Sequence, residues 1–326
     1  MKLFTSLINT IKEHFRLKLI ICFILCAILP LLILGTISYK ISYNIAKDKI
    51  LKETAISCEK NQHLLENRMT QIENLEDSIH FNLCMLCTTA EQPMSNYLDK
   101  LSAVRNNIAS IADSFNIYHV NIFLPDDTFA SKEGLTFCSL SDLKKYKDFS
   151  KQGLTPNWIF RKDINFPYMV SKGEEPSGVL SCYRYAKINS QKTCLAVHIT
   201  SEELSNYLNT FSEGNPSLSY IINSEGVVLS STDKKQIGGS LSNEKLHAIT
   251  QNLRLSHFSY DKCEIISTPV HNQLFLVTET PDYYIRQSSS FLVKMIFICF
   301  MIIVPLTMLS IIWVADLCRK SKWTMS

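Results

Sequence analysis

Glycine and charge are both scarce in this sequence. Nine glycines occur in 326 residues, and charged residues make up 19% of the chain, against about 25% in an average soluble domain. No glycine-rich phosphate loop, G-x-S-x-G elbow or H-E-x-x-H helix occurs, so the motifs of nucleotide, ester and zinc chemistry are missing. A net charge of +3 argues against a dedicated nucleic-acid binder. We therefore expect no catalytic residues, no metal ligands, no cofactor and no nucleic-acid partner.

Long apolar runs, by contrast, bracket the chain. Residues 19–37 and 295–315 contain no charged residue, and each run is long enough to cross a hydrocarbon core of about 30 Å as a helix. Pro30 and Pro305 lie inside the runs, which membrane helices tolerate. We predict an uncleaved signal anchor at 19–39 and a second transmembrane helix at 291–315.

Basic residues on the two short tails predict the topology. Because cytoplasmic flanks carry an excess of lysine and arginine, tails 1–18 and 316–326 are predicted to be cytoplasmic. Residues 40–290 then form an extracytoplasmic domain of a cell-membrane protein with two spans. The tail residues that carry this inference are Lys2, Lys12, Arg16, Lys18, Arg319, Lys320 and Lys322.

The external segment begins with a helical pattern. Apolar residues recur at intervals of three and four from Ile41 to about Leu86, and again from Met94 to Ile111 after Pro93. Two interpretations stay open: a helix pair that faces the core, or a parallel homodimer seam. The positions that define the stripe on the first helix are Leu65, Met69, Ile72, Leu75, Ile79, Leu83 and Leu86.

From Tyr118 the apolar period changes from 3.6 to 2, which is typical of strands. The pattern of strands and a short helix occurs twice, so we predict an α+β fold with two PAS-like units, at about 115–212 and 217–280. The first unit should contain strands at 118–124, 178–187 and 193–199, a return strand at 128–131 and a helix at 201–211. The second should contain strands at 218–222, 227–230, 255–260, 263–269 and 273–279, with a helix at 243–253.

Two stretches carry a family resemblance. The sequence YIINSEGVVLSSTD at 220–233, followed by Ile237-Gly238, is similar to the membrane-proximal hairpin of Cache domains, and the anchor at 28–39 resembles that of YesM-like sensor histidine kinases from Gram-positive bacteria. With its long helix and two sheet units, the chain resembles a double Cache ectodomain. The resemblance implies a sensor that binds a small extracellular solute and signals through the second membrane helix.

The end of the chain departs from that resemblance. Only 11 residues follow Ala315, whereas a HAMP linker and a kinase need many more. We expect a chain truncated before those regions, or a sensor that acts through a separate kinase or regulator. Neither form would be an enzyme by itself.

The resemblance implies that the solute lies in the membrane-distal unit. Aromatic faces suit sugar stacking and an arginine fork suits a carboxylate, so a carbohydrate or a carboxylate is the expected ligand. Alternatively, Tyr183 and Tyr185 are ordinary core residues, Arg184 is solvated, and the chain is a surface structural or interaction protein without a small ligand. The candidate ligand-binding residues are Trp158, Tyr168, Tyr183, Arg184 and Tyr185.

Seven cysteines fall in the predicted external segment. The number is odd, so at least one thiol stays unpaired within a monomer. The Cys84-x-x-Cys87 pair stands alone on a predicted helix, which favours two small residues on one helix face over a redox or metal motif.

Overall fold

The computed structural model describes residues 15–87, 94–125, 135–145, 149, 153, 155–162, 175–188, 191–208, 216–251, 254–271 and 274–323. The chain forms two compact units. One consists of Glu53–Pro281, and the other of the flanking segments Met1–Lys52 and Asp282–Ser326.

Two helices precede the sheets. Helix α1 runs without a break over Phe15–Cys87, and helix α2 covers Met94–Ser114, as the spacing predicted. Six of the seven predicted stripe positions, Leu65 to Leu83, are buried, because they form the apolar face of an amphipathic helix. The side chain of Leu86 and the segment with Pro93 lie outside the described residues.

Five strands form the first sheet, which we call the N-terminal sheet. The strand order is β2-β1-β5-β4-β3, and β2 pairs parallel to β1 while the other pairs are antiparallel. The strands are β1 (His119–Leu124), β2 (Leu135–Ser139), β3 (Asn157–Arg161), β4 (Val179–Ile188) and β5 (Gln191–Thr200).

Two strands of this sheet were not predicted. The return strand expected at 128–131 lies outside the described residues; the described neighbour of β1 is β2, which begins at Leu135 and runs parallel. A parallel partner cannot follow a tight hairpin, since it needs a longer connection. Strand β3 escaped notice because all five of its residues are half-buried, so burial does not alternate along it.

Helix α3 (Ser201–Ser205) follows β5 and is shorter than the predicted 201–211. Its start is as predicted, because the Thr200 side chain accepts a hydrogen bond from the Glu203 amide at 3.1 Å. Residues 209–215, which include the end of the prediction, lie outside the described residues.

The second sheet, called the C-terminal sheet, confirms the predicted repeat. Its order is β7-β6-β10-β9-β8, all antiparallel. The hairpin turn between its first two strands places Gly226 at φ 81°, a conformation that glycine adopts without strain. The elements are β6 (Leu218–Ile222), β7 (Val228–Ser231), α4 (Asn243–Thr250), β8 (Ser256–Tyr260), β9 (Cys263–Val270) and β10 (Leu274–Pro281).

Helix α5 covers Asp282–Trp323. Within the part of the chain that the structure describes, one helical segment, Asp282–Ile303, has the length and apolar composition to cross a membrane. It overlaps the predicted second span. The predicted first span, 19–39, is helical as part of α1, but the side chains of its first half lie outside the described residues.

Candidate functional site

The N-terminal sheet has an inner face that contacts α1. From β3, the Trp158 indole donates a hydrogen bond to Glu73 at 3.0 Å. From β4, Arg184 Nη2 bonds Asp77 at 2.5 Å, and its Nε lies 3.7 Å from Glu76. Two of the predicted ligand residues, Trp158 and Arg184, are therefore engaged by acidic side chains of α1.

The other predicted residues on β4 point the opposite way, because side chains alternate along a strand. On this outer face the Tyr183 ring packs edge-on against Phe149, with ring centres 4.8 Å apart. The Tyr185 hydroxyl donates to the Phe149 carbonyl at 2.9 Å, and Lys192 Nζ lies 4.5 Å from the centre of the Tyr185 ring. The structure thus divides the predicted residues between two faces, and Tyr168 lies outside the described residues.

A row of buried polar side chains crosses the outer face beside this aromatic cluster. All five members are at most 3% exposed. His198 Nδ1 and Ser181 Oγ are 2.7 Å apart, and His119 Nε2 and Thr136 Oγ1 are 2.9 Å apart. We call this set the outer polar row; its members are His119, Asn121, Thr136, Ser181 and His198.

Burial controls the charge of the row. It lowers the pKa of His198 well below the ordinary value, and the neighbouring His119 and Arg161 lower that pKa further. His198 is therefore a neutral imidazole at physiological pH. Asn121 Nδ2 donates one long hydrogen bond, of 3.6 Å, to the Cys138 sulfur. Its Oδ1 accepts no hydrogen bond from any described residue. A buried amide oxygen without a donor costs about 1–3 kcal/mol.

The C-terminal sheet provides an internal comparison, because its strands have the same order. His119 pairs with His198 at the start of β1, as Leu218 pairs with Glu279 at the start of β6. Counting along the ladders from these pairs matches four members of the polar row to two apolar and two polar positions. The matched positions are His119 with Leu218, Asn121 with Tyr220, Ser181 with Ile265 and His198 with Glu279.

The matched face of the C-terminal sheet is filled by its own chain. Ile249 of α4 is fully buried there, and Leu246 packs against the same cluster. Its one acid, Glu279, bonds Lys245 at 2.5 Å and accepts a hydrogen bond from the Tyr220 hydroxyl. The side chains on this face of the C-terminal unit are therefore packed or paired within the unit. The polar row of the N-terminal sheet is the stronger candidate site.

An open cleft of about 510 Å³ lies beside α3 and is lined by acidic groups and Lys234. Its acids already have partners. Glu203 pairs with Arg68 at 3.2 Å and accepts from Asn116, and Glu202 accepts from the Ser177 amide at 3.0 Å. These contacts join α1 and the turn after α2 to α3, which indicates a structural role for the cleft.

Metal and redox sites find no support in the described residues. No group of three or more histidine, cysteine or acidic side chains is placed there to hold a metal. Cys58, Cys138, Cys182 and Cys194 are buried and form no disulfide with a described residue, and burial raises the pKa of Cys58 to about 12. Such thiols are unreactive. Cys84 is free and partly exposed, while the side chain of Cys87 is outside the described residues.

Sequence reasoning missed the outer polar row although part of its signal was visible. His119 and Asn121 alternate with Val120 and Ile122 on a predicted strand, a pattern that usually marks a solvated face. Their burial depends on β5 and β2 lying alongside, and β2 was not predicted. A central strand with polar residues on one face was the available clue.

No protein-family model matches this chain, and no curated protein matches it. Solved structures do match. The extracellular domain of the putative histidine kinase vpHK1S-Z8 has a TM-score of 0.53 at 13% identity, covering 74% of this chain and 98% of that one. The sensory domain of the Campylobacter jejuni chemoreceptor Tlp3, with isoleucine bound, has a TM-score of 0.51 at 14% identity, covering 76% and 98%.

A third match is the extracellular domain of the putative histidine kinase rpHK1S-Z16, with a TM-score of 0.51 at 16% identity, covering 73% of this chain and 96% of that one. This chain has the fold of an extracellular sensory domain. The predicted α+β fold with two sheet units is therefore confirmed. At these identities the similarity establishes the fold alone.

Proposed function

We propose that this chain is a membrane-bound sensor of a small extracellular solute, with the N-terminal sheet unit as the membrane-distal, ligand-binding part. One observation carries the proposal: the polar groups at the matched positions of the C-terminal sheet, Tyr220 and Glu279, bond each other, whereas the outer polar row includes an amide oxygen, Asn121 Oδ1, that accepts no hydrogen bond from any described residue. A buried polar surface that keeps hydrogen-bonding capacity unused by the described residues is a feature that a solute-binding site requires. The sensory domains with the same fold support this assignment.

We further propose two membrane spans, at 19–39 and 291–315, that enclose an extracytoplasmic segment 40–290. In support, large apolar side chains on both helices are more than 45% exposed, a surface that soluble proteins seldom maintain. They include Leu29, Leu32, Ile33, Leu34 and Ile37 on α1 and Phe297, Ile298, Met301, Ile302, Leu306 and Leu309 on α5.

The chain has no catalytic role in this proposal. It is the signal-input part of a system of the YesM-like type, in which a kinase or a regulator provides the output. A parallel homodimer through α1 would allow a displacement of α5 to be passed on. Of the predicted ligand residues, Tyr183 and Tyr185 border the proposed site, and Tyr168 remains a prediction for the same unit.

The ligand test is thermal unfolding of the full chain in lipid nanodiscs against a panel of amino acids, short carboxylates and monosaccharides. Isoleucine and valine belong in the panel, since both are bound in the matching Tlp3 structures. A ligand at 100 times its Kd should stabilise the folded state by about 2.7 kcal/mol. The Asn121→Leu variant should lose that gain, and Ser256→Ala, on an edge strand of the C-terminal sheet, should keep it. No gain from any solute would favour the surface interaction protein instead.

Topology has a separate test. A membrane-impermeant thiol reagent applied to intact cells should label Glu225→Cys, in an exposed turn of the C-terminal unit, and should not label Cys318. The basic tails motivate this orientation. Moving each positive charge outward across the membrane, against the membrane potential, costs about 2.3 kcal/mol per 100 mV. Labelling of Cys318 without Glu225→Cys would reverse the orientation.

A further inference from the structure

Helix α1 contacts both sheet units at different points along its length. Gln62 accepts a hydrogen bond from Thr268, on β9 of the C-terminal sheet, at 2.8 Å. About 22 Å further along the helix, at 1.5 Å per residue, Asp77 accepts one from Arg184, on β4 of the N-terminal sheet, at 2.5 Å. The residues between these two contacts therefore lie where α1 passes from one unit to the other.

Glu73 lies in this interval and contacts both units through one atom. Its Oε1 accepts a hydrogen bond from the indole of Trp158, on β3 of the N-terminal sheet, at 3.0 Å. The same Oε1 lies 2.9 Å from Nε2 of His271, the residue that directly follows β9 of the C-terminal sheet. A carboxylate oxygen has two lone pairs, so it can accept from both nitrogens. A single oxygen atom thus joins the two sheet units.

Each partner of Glu73 is connected by strand pairing to a part of its own unit that matters for sensing. Trp158 pairs with Cys182 in the ladder of β3 and β4, and β4 also carries Ser181 of the outer polar row. In the other unit, β9 pairs with β10 along the whole length of both strands. Strand β10 ends at Pro281, directly before α5 begins at Asp282. A movement of β3 can therefore reach the start of α5 through Glu73 and two paired strands.

The helix holds the Glu73 side chain firmly enough for this connection. Ile72 is 1% exposed and Glu76 has no exposure, so the turn that contains Glu73 is packed against the core. The side chains of Glu73 and His271 are only 19% and 29% exposed, which limits competition from water. Hydrogen bonds to a carboxylate are roughly twice as strong as those between neutral groups. Breaking either bond would therefore loosen the connection between the units.

We infer that Glu73 couples the two sheet units, so that a displacement of β3 is passed through Trp158, Glu73 and His271 to β10 and α5. The use of this connection in signalling rests on the proposed function, whereas the connection itself requires no ligand. Glu73 is a positioning residue in this role, because it acts through its two partners.

Hydrogen exchange of the full chain in lipid nanodiscs, followed by mass spectrometry, tests the connection without a ligand. Trp158→Phe removes the indole donor and keeps an aromatic ring. It should speed amide exchange in β9 and β10 by roughly threefold to tenfold, as expected for the loss of one hydrogen bond. His271→Leu should have the same effect on β3 and β4. Each substitution is thus read out in the unit that does not contain it.

Two substitutions on α1 serve as matched controls, because each removes a hydrogen bond to one unit. Asp77→Ala removes the acceptor of Arg184, and it should speed exchange in β4 while β9 and β10 keep their rates. Gln62→Leu removes the acceptor of Thr268, and it should speed exchange in β9 while β3 keeps its rate.

Variants of Glu73 itself show whether the connection passes through this side chain. Glu73→Met keeps a similar length and removes the acceptor, so in that background Trp158→Phe should no longer change exchange in β9 and β10. Glu73→Gln keeps an acceptor oxygen without the charge, and it should retain a smaller remote effect. If Glu73→Met does not fold, the comparison of Glu73→Gln with the unaltered protein decides the question.

The other outcomes are distinct. Effects of Trp158→Phe and His271→Leu that stay within their own units would overturn the inference and leave the proposed sensor intact. Remote effects that persist undiminished in the Glu73 variants would assign the coupling to other contacts and also overturn it. Absence of binding by every solute of the thermal panel would overturn the proposed function and leave the connection between the units in place.

Discussion

The Nε atom of Arg184 lies 3.7 Å from a carboxylate oxygen of Glu76, a side chain with no solvent exposure. Burial disfavours the charged carboxylate more than the nearby guanidinium favours it, so the pKa of Glu76 is raised from 4.5 to about 8. The charges of Glu73 and Asp77 on the same helix raise it further, and Cys182 on β4 lowers it. This acid, which lies where α1 meets the sheet, is therefore mostly protonated at physiological pH.

This acid should make stability depend on pH. Below pH 4.5 Glu76 is protonated in both the folded and the unfolded chain, so it contributes nothing to the pH dependence of stability. Between about pH 4.5 and 8 the unfolded chain releases a proton that the folded chain keeps, so the free energy of unfolding should fall by at most about 1.4 kcal/mol per pH unit. Above pH 8 Glu76 is ionised in both states, and the free energy of unfolding falls no further on its account. Unfolding of the full chain across this range, compared with Glu76→Gln, measures the effect.

The Glu76→Gln variant should lack this part of the slope, and Asp77→Asn, its exposed neighbour, should retain most of it, because burial is the main cause of the raised pKa of Glu76. Equal slopes in the unaltered protein and Glu76→Gln would show that the Glu76 carboxyl has an ordinary pKa and is solvated.

Asn61 is a second buried polar side chain on α1. It has no exposure, and neither its Nδ2 nor its Oδ1 bonds any described residue. Because an unsatisfied buried polar group costs about 1–3 kcal/mol, Asn61→Leu should raise the free energy of unfolding by about that amount. Urea unfolding of the full chain in detergent checks this.

The adjacent residue supplies the control. Gln62 accepts a hydrogen bond from Thr268 at 2.8 Å and donates one to Glu66 at 3.0 Å, so Gln62→Leu should lower stability by about 1 kcal/mol. A loss of stability in Asn61→Leu as well would mean that its amide is hydrogen-bonded.

Exposed apolar side chains on α1 bear on the predicted dimer. Ile56, Phe81 and Met85 are 59%, 64% and 55% exposed, and they lie within about one quarter of the helix circumference. A parallel dimer would bury them at about 25 cal/mol per Å². Oxidation of membranes that contain Phe81→Cys should therefore give a disulfide-linked dimer, detected on a non-reducing gel.

Glu225→Cys, in a turn away from α1, should give no such link, and Phe81→Lys should shift the protein towards monomer in light scattering. A chain that is monomeric with native Phe81 would leave the core-facing helix pair as the explanation of the repeat.

Local patterns predicted much of the fold. The three-and-four spacing from Leu65 to Leu83 fixed the buried face of α1, the Thr200 cap fixed the start of α3, and Gly226 fixed the hairpin of the C-terminal sheet. These features depend on residues close in sequence, so the sequence contains them directly. The resemblance to a sensory fold rested on the same elements in order.

The site depended on contacts between distant segments. Arg184 lies next to Glu76 and bonds Asp77, both more than 100 positions away in the sequence. Trp158 donates a hydrogen bond to Glu73. Strand β2 lies parallel to β1 and cannot be inferred from a hairpin pattern. Which arginine faces α1 and which faces the outer polar row is decided by strand pairing, because alternation gives two faces but does not say what covers each one. Local sequence patterns determined most of the elements and their order, except β2 and β3, whereas only the tertiary structure separated Arg161 from Arg184 and buried His119 beside His198.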